Sequence, residues 1–156
     1  GVQNNVSNSL VLMADRLGFS LTLATPEPEE TQESFDADLQ AMIMDNPSIQ
    51  RVEDPRDAIA SADFIYTDTW IDMQYFNDPT KHAEKTALVA QMQRFQINSD
   101  LVAGHELKIM HDMPIHNDYE ITEVAVRDPR SIIFDQAANR LHAQKGLLYW
   151  LLVANT

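Results

Sequence analysis

Asp63-Phe64-Ile65-Tyr66-Thr67 is a short, largely apolar run, and Asp68-Thr69-Trp70-Ile71-Asp72-Met73 follows it as a polar loop with two carboxylates around a tryptophan. A run of this length and composition is a strand covered on both faces, the form strands take in a parallel sheet flanked by helices. Outward from it, similar runs occupy residues 20–24, 49–52, 108–111 and 131–134, with longer segments of helical periodicity between them. The alternation makes the chain α/β.

The expected architecture is a Rossmann-like three-layer sandwich around a mostly parallel sheet. Its first helix spans residues 5–17, with Asn4 or Asn5 as cap, Gly18 as terminator, and Val6, Leu10, Met13 and Leu17 on the apolar face. Further helices are expected over residues 33–44, stopped by Asn46 and Pro47, after Asp54 with Pro55 at the first position, and over residues 81–95. The last helix, residues 135–153, ends in the run Leu147-Leu148-Tyr149-Trp150-Leu151-Leu152. The chain opens on a strand-to-helix turn without the strand that would feed it, so the sheet lacks its usual first, central strand. Residues 1–156 therefore read as a single domain that is a fragment of a longer protein.

A length of 156 residues suits one domain with one core. With no cysteine, the chain has neither a thiolate nucleophile nor a thiolate metal site, which fits a cytoplasmic location. A net charge of -13, with 11 basic residues scattered singly, argues against nucleic acid and anionic lipid as partners. The apolar run near the end is far shorter than the roughly 20 residues needed to cross a membrane. His111 and His116 lack a third ligand at a recognised spacing, so no metal site is expected, and no cofactor either. Only four glycines occur and no Gly-x-Gly-x-x-Gly follows a strand, which weakens a dinucleotide-binding reading.

Open α/β sheets bind ligands beyond the carboxyl ends of their strands. Four clusters occupy such positions: Asn4-Asn5, the loop of residues 68–73, His111-Asp112-Met113-Pro114, and residues 136–142. An asparagine at a helix start can cap the helix or donate to a ligand carboxylate. Asp68 and Asp72 can hold an ammonium group or cap the next turn. His111 can carry a proton or be a hydrogen-bonded structural residue, while Pro114 leaves nearby carbonyls open to an amine. Arg140, near the start of the last helix, suits a phosphate or carboxylate, or a surface ion pair.

In order and spacing these clusters resemble the carboxyl-terminal half of the ornithine/aspartate carbamoyltransferases over essentially the whole chain. The likeness is carried by Asn4-Asn5-Val6, Asn8-Ser9-Leu10, Leu17-Gly18, Ala62-Asp63, Tyr66-Thr67-Asp68-Thr69-Trp70 and Phe95-Gln96-Ile97-Asn98. It continues through His111 with Pro114, Glu120-Ile121-Thr122, Phe134-Asp135-Gln136-Ala137 and Asn139-Arg140-Leu141-His142. The resemblance implies a two-domain enzyme, usually a trimer, in which a missing amino-terminal domain holds carbamoyl phosphate and this domain holds an amino-acid or amine substrate. On that basis Asn5 and Asp68 hold the amino-acid end, with Asp72, Met73 and His111 beside it. Asp112 and Met113 stand next to the reacting amine, and Arg140 contacts carbamoyl phosphate. A non-catalytic ligand-binding or assembly module of the same fold is the alternative.

The chain departs from the family pattern at two places. Ornithine carbamoyltransferases read Asp-x-Trp-x-Ser-Met-Gly and His-Cys-Leu-Pro; here Asp72 replaces the serine, Gln74 the glycine, and Asp112-Met113 the Cys-Leu pair. Two added carboxylates disfavour a substrate carboxylate nearby and favour a second cationic or hydrogen-bond-donating group. No Ser-x-Arg-Thr phosphate loop occurs, so the isolated chain is expected to be inactive.

Overall fold

A computed structural model describes residues 1–28, 35–71 and 76–154. Helix α1 (Asn5–Leu17) starts where Asn4 caps it. The Asn4 side chain accepts from the amides of Val6 at 3.1 Å and Ser7 at 3.2 Å, and Ser7 Oγ accepts from the Asn4 amide at 2.8 Å. This reciprocal box satisfies amides that the helix itself leaves free. Gly18 ends the helix in the left-handed region, φ 74°, where a side chain would be strained.

Strand β1 (Leu21–Ala24), helix α2 (Ala37–Asp45), strand β2 (Ile49–Val52), helix α3 (Pro55–Ile59) and strand β3 (Phe64–Thr67) follow. After them come α4 (His82–Met92), β4 (Lys108–His111), α5 (Glu123–Val126) and α6 (Ile133–Tyr149), with short 3-10 turns on either side of α4. The expected start of the second helix at Glu33 lies outside the described residues. Within them α2 begins after Asp36, whose carboxylate caps the amides of Asp38 and Leu39. Asp54 plays the same part for α3, with Pro55 at its first position as expected.

The strands form two parallel pairs. β1 lies beside β2, with Leu21 opposite Ile49, and β3 beside β4, with Phe64 opposite Lys108 and Thr67 opposite His111. Gly1 sits between the carboxyl ends of the pairs: its amino group donates to Ala24 O at 2.5 Å, and a Cβ there would lie 3.7 Å from Thr67 Oγ1. β3 is not covered along its whole length as its composition suggested, since Phe64 is 59 % exposed.

The strand expected over residues 131–134 is not formed. Ser131 makes one parallel bridge to Ile109, the Ile109 amide donates to Arg130 O at 3.1 Å, the Ile132 amide donates to Ile109 O at 2.9 Å, and α6 then begins at Ile133. The approach is directed by Arg130, which binds the Asp128 carboxylate at 2.8 and 2.7 Å and the carbonyls of Val102 and His105 at 2.7 and 2.6 Å. Helical bonding starts immediately after the bridge, with the Gln136 amide donating to Ile132 O at 2.8 Å.

Ile97, Val102, Ile109, Ile121 and Ile133 form a core beneath the β3–β4 pair, and Val11, Ala14, Leu23, Leu39 and Ile49 join α1 and α2 to the β1–β2 pair. Each fully buried aliphatic side chain contributes about 1.5–3 kcal/mol. Ile133 is the buried residue of α6; from Phe134 onward the helix is exposed except at half-buried Gln136. Among the described residues no helix is long and apolar enough to cross a membrane.

Candidate functional site

Because Thr67 and His111 are register partners, the loops after β3 and β4 leave the same edge. Asp68 is fixed there from two sides: Asn4 Nδ2 donates to its Oδ2 at 2.6 Å, and the Thr69 amide donates to its Oδ1 at 2.6 Å. Asn4 thus serves as cap with one end of its amide and as tether with the other. Asn5, the neighbour singled out from sequence, stands exposed on the first turn of α1.

Asp112 faces Asp68 across this edge. Burial, then the Asp68 charge and a hydrogen bond to that carboxyl, push the Asp112 carboxyl up to about 6. Two carboxyls placed this way repel when both are charged, so Asp112 keeps its proton to a higher pH than an ordinary aspartate. Asp112 Oδ1 is buried with no hydrogen-bond partner among the described residues. The Tyr66 hydroxyl beside them is pushed up to about 12, by burial first and then by Asp112, with its Gln136 hydrogen bond acting the other way and Asp68 adding to the rise.

Gln136 ties the edge to α6. Its Nε2 donates to the Tyr66 hydroxyl at 3.1 Å, and its Oε1 accepts from the His111 amide at 3.1 Å. Arg140 lies four residues on, hence on the same helical face one turn away. It is exposed, and among the described residues it engages no carboxylate.

His111 has a different place from the substrate contact expected of it. The residue is fully buried; Nδ1 accepts from the Met113 amide at 2.8 Å, and Nε2 meets Glu120 Oε1 at 3.2 Å. With both ring nitrogens committed, it holds the loop from within. Asp72 and Met73 lie outside the described residues. Met113 is 36 % exposed, with φ 62°.

Three contributors were not assigned these roles from sequence. The Asn4 tether, the Gln136 bridge and buried Glu120 were visible only as letters within matching fragments, because a polar residue's partner far along the chain leaves no local signal. His116 stacks on Phe76 with ring centroids 3.9 Å apart, and the described residues contain no group of three or more metal-ligating side chains.

A parallel α/β chain with an acidic pair at the carboxyl edge of its strands, where open sheets of this class bind ligands, has a Rossmann-like fold. The chain belongs to the aspartate/ornithine carbamoyltransferase family, whose Asp/Orn binding domain matches residues 1–151. It is 36% identical over 154 residues to the ornithine carbamoyltransferase of Archaeoglobus fulgidus, covering 97% of this chain and 47% of that protein. The ornithine carbamoyltransferase of Thermus thermophilus superposes with a TM-score of 0.75 at 33% identity, covering 97% of this chain and 46% of that one. A variant of N-acetyl-L-ornithine transcarbamylase complexed with carbamyl phosphate and N-succinyl-L-norvaline superposes at 0.71 with 26% identity, covering 94% of this chain and 44% of that one. The chain spans about half the length of the relatives it matches.

Proposed function

We propose that this chain is the amine-substrate-binding half of a carbamoyltransferase, moving the carbamoyl group of carbamoyl phosphate to an amino group. The carrying observation is the Asp68–Asp112 pair at the carboxyl edge of β3 and β4, tethered to α1 by Asn4. The reaction asks for little covalent chemistry from the protein: a neutral amine must be held against the carbamoyl carbon while donors stabilise charge developing on oxygen. An acid titrating at about 6 is suited to take the proton the amine releases, and Asp112 is that acid.

In this reading Asn5, Asp68, Asp72 and Met73 hold the far end of the amine substrate, and Arg140 reaches carbamoyl phosphate held by an amino-terminal domain. No cofactor takes part, and the working protein is a homo-oligomer. Two acids where the family pattern has Ser and Cys favour a substrate with a second cationic or donor group over ornithine. The test joins this segment to a carbamoyl-phosphate-binding domain and assays ornithine, aspartate and a carboxylate-free alkyl diamine. Transfer to the diamine in preference to ornithine is expected; no product with any amine contradicts the catalytic reading and leaves a non-catalytic module.

A further inference from the structure

Glu120 is fully buried, eight residues beyond Asp112. Its Oε1 receives two donors, the His116 amide at 2.6 Å and His111 Nε2 at 3.2 Å, while Oε2 has no hydrogen-bond partner among the described residues. The other ring nitrogen decides how these bonds are to be written. Because the Met113 amide donates to His111 Nδ1 at 2.8 Å, that nitrogen carries a lone pair, and the proton of the neutral ring is on Nε2, pointed at Glu120.

We propose that Glu120 is a positioning residue of the amine site: by accepting the His111 Nε2 proton it holds the tautomer whose Nδ1 fastens the Asp112-Met113 turn. This rests on the reading of that edge as an amine site. The turn needs fastening, since Met113 has φ 62°, a backbone conformation that L side chains rarely adopt. With the proton moved to Nδ1, two N–H groups would face each other and the turn would open. Among the described residues the Asp112 and Met113 carbonyls accept no hydrogen bond, so the turn leaves them available to a donor. Gln136 holds the preceding amide, that of His111, so the loop is gripped at its start and at its turn.

Asp112 Oδ1 lies 3.7 Å from Nδ1, beyond hydrogen-bonding reach, and the His116 ring is stacked on Phe76. Glu120 is therefore the acceptor on the Nε2 side. A carboxylate and a carboxamide of the same shape can both accept at Oε1, which gives the proposal a conservative rescue.

The test reads the His111 ring by long-range proton–nitrogen NMR in the 156-residue chain and its E120Q and E120A variants. Expected is the Nε2–H tautomer in the unsubstituted chain and in E120Q, with its loss in E120A. In the protein joined to a carbamoyl-phosphate domain, E120A should raise the amine KM at least about tenfold, leave the carbamoyl-phosphate KM in place, and be rescued by E120Q. An Nδ1–H ring in the folded unsubstituted chain overturns the proposal without recourse to any variant, as does an E120A protein that keeps both the tautomer and the amine KM. Should the ring respond as stated while no amine is carbamoylated, the fault lies with the amine-site reading, and Glu120 keeps its hold on the turn.

Discussion

Asn4 and Asp68, 64 residues apart in the chain, are joined by a 2.6 Å hydrogen bond, and the same Asn4 side chain caps α1. One amide thereby fixes both a helix start and a carboxylate of the candidate site. Asn4→Ala should lose cap and tether together, costing about 1–2 kcal/mol in urea unfolding. Asn4→Asp should keep the cap but place a second acid against Asp68. Its stability deficit should therefore grow as pH rises through the carboxylate range and level off above it.

Asp112 sets the sign of a pH effect. Its carboxyl titrates at about 6 in the fold against 3.8 for the ordinary group, so the folded chain holds that proton more tightly than the unfolded one. Its stabilising contribution is then present at low pH and is lost as pH rises from about 3.8 through about 6. Asp112→Asn should gain about 1 kcal/mol on the parent above that window, allowing for solvent exposure, and little below it. Paired melting curves across pH check this. A cationic amine should bind more tightly as the same proton leaves.

Arg130 decides where α6 begins, through two carbonyls and the Asp128 carboxylate, which its hydrogen bonds hold down at about 2. Lysine cannot reproduce the planar fork. Arg130→Lys should cost about 1–3 kcal/mol in chemical denaturation.

The end of α6 and the π-helical turn that continues it (Trp150–Ala154) expose Leu147, Leu148, Trp150 and Leu151, at 56, 57, 53 and 49 %. A contiguous apolar surface of this kind drives association. The 156-residue chain should self-associate in light scattering, and Leu148→Glu with Leu151→Glu should shift it toward monomer. A parent chain that remains monomeric at high concentration contradicts this.

Much of the fold was legible in local chemistry. Asn4 and Gly18 bracket α1, Asp54-Pro55 starts α3, and the apolar runs at residues 49–52 and 108–111 are strands with the expected bounds. Residues 131–134 were misread because Ser-Ile-Ile-Phe has β-prone composition, while the Arg130 clamp that turns the chain into a helix depends on carbonyls 25 and 28 residues away. The meeting of Asp68 and Asp112 at one edge was legible because each directly follows a strand. The site was illegible where a buried partner decides the role: His111 has the composition of a ligand contact and becomes a loop fastener only because Glu120 and the Met113 amide occupy its ring.

The amine-site reading depends on Asp68 gripping substrate at the shared edge of β3 and β4. Steady-state kinetics of Asp68→Ala, in the protein joined to a carbamoyl-phosphate domain, test it most directly. Loss of one charge-assisted contact with the substrate predicts a fall in kcat/KM for the amine of about a hundredfold, with the carbamoyl-phosphate KM unchanged. An Asp68→Ala protein that carbamoylates the amine at the parent rate contradicts the assignment.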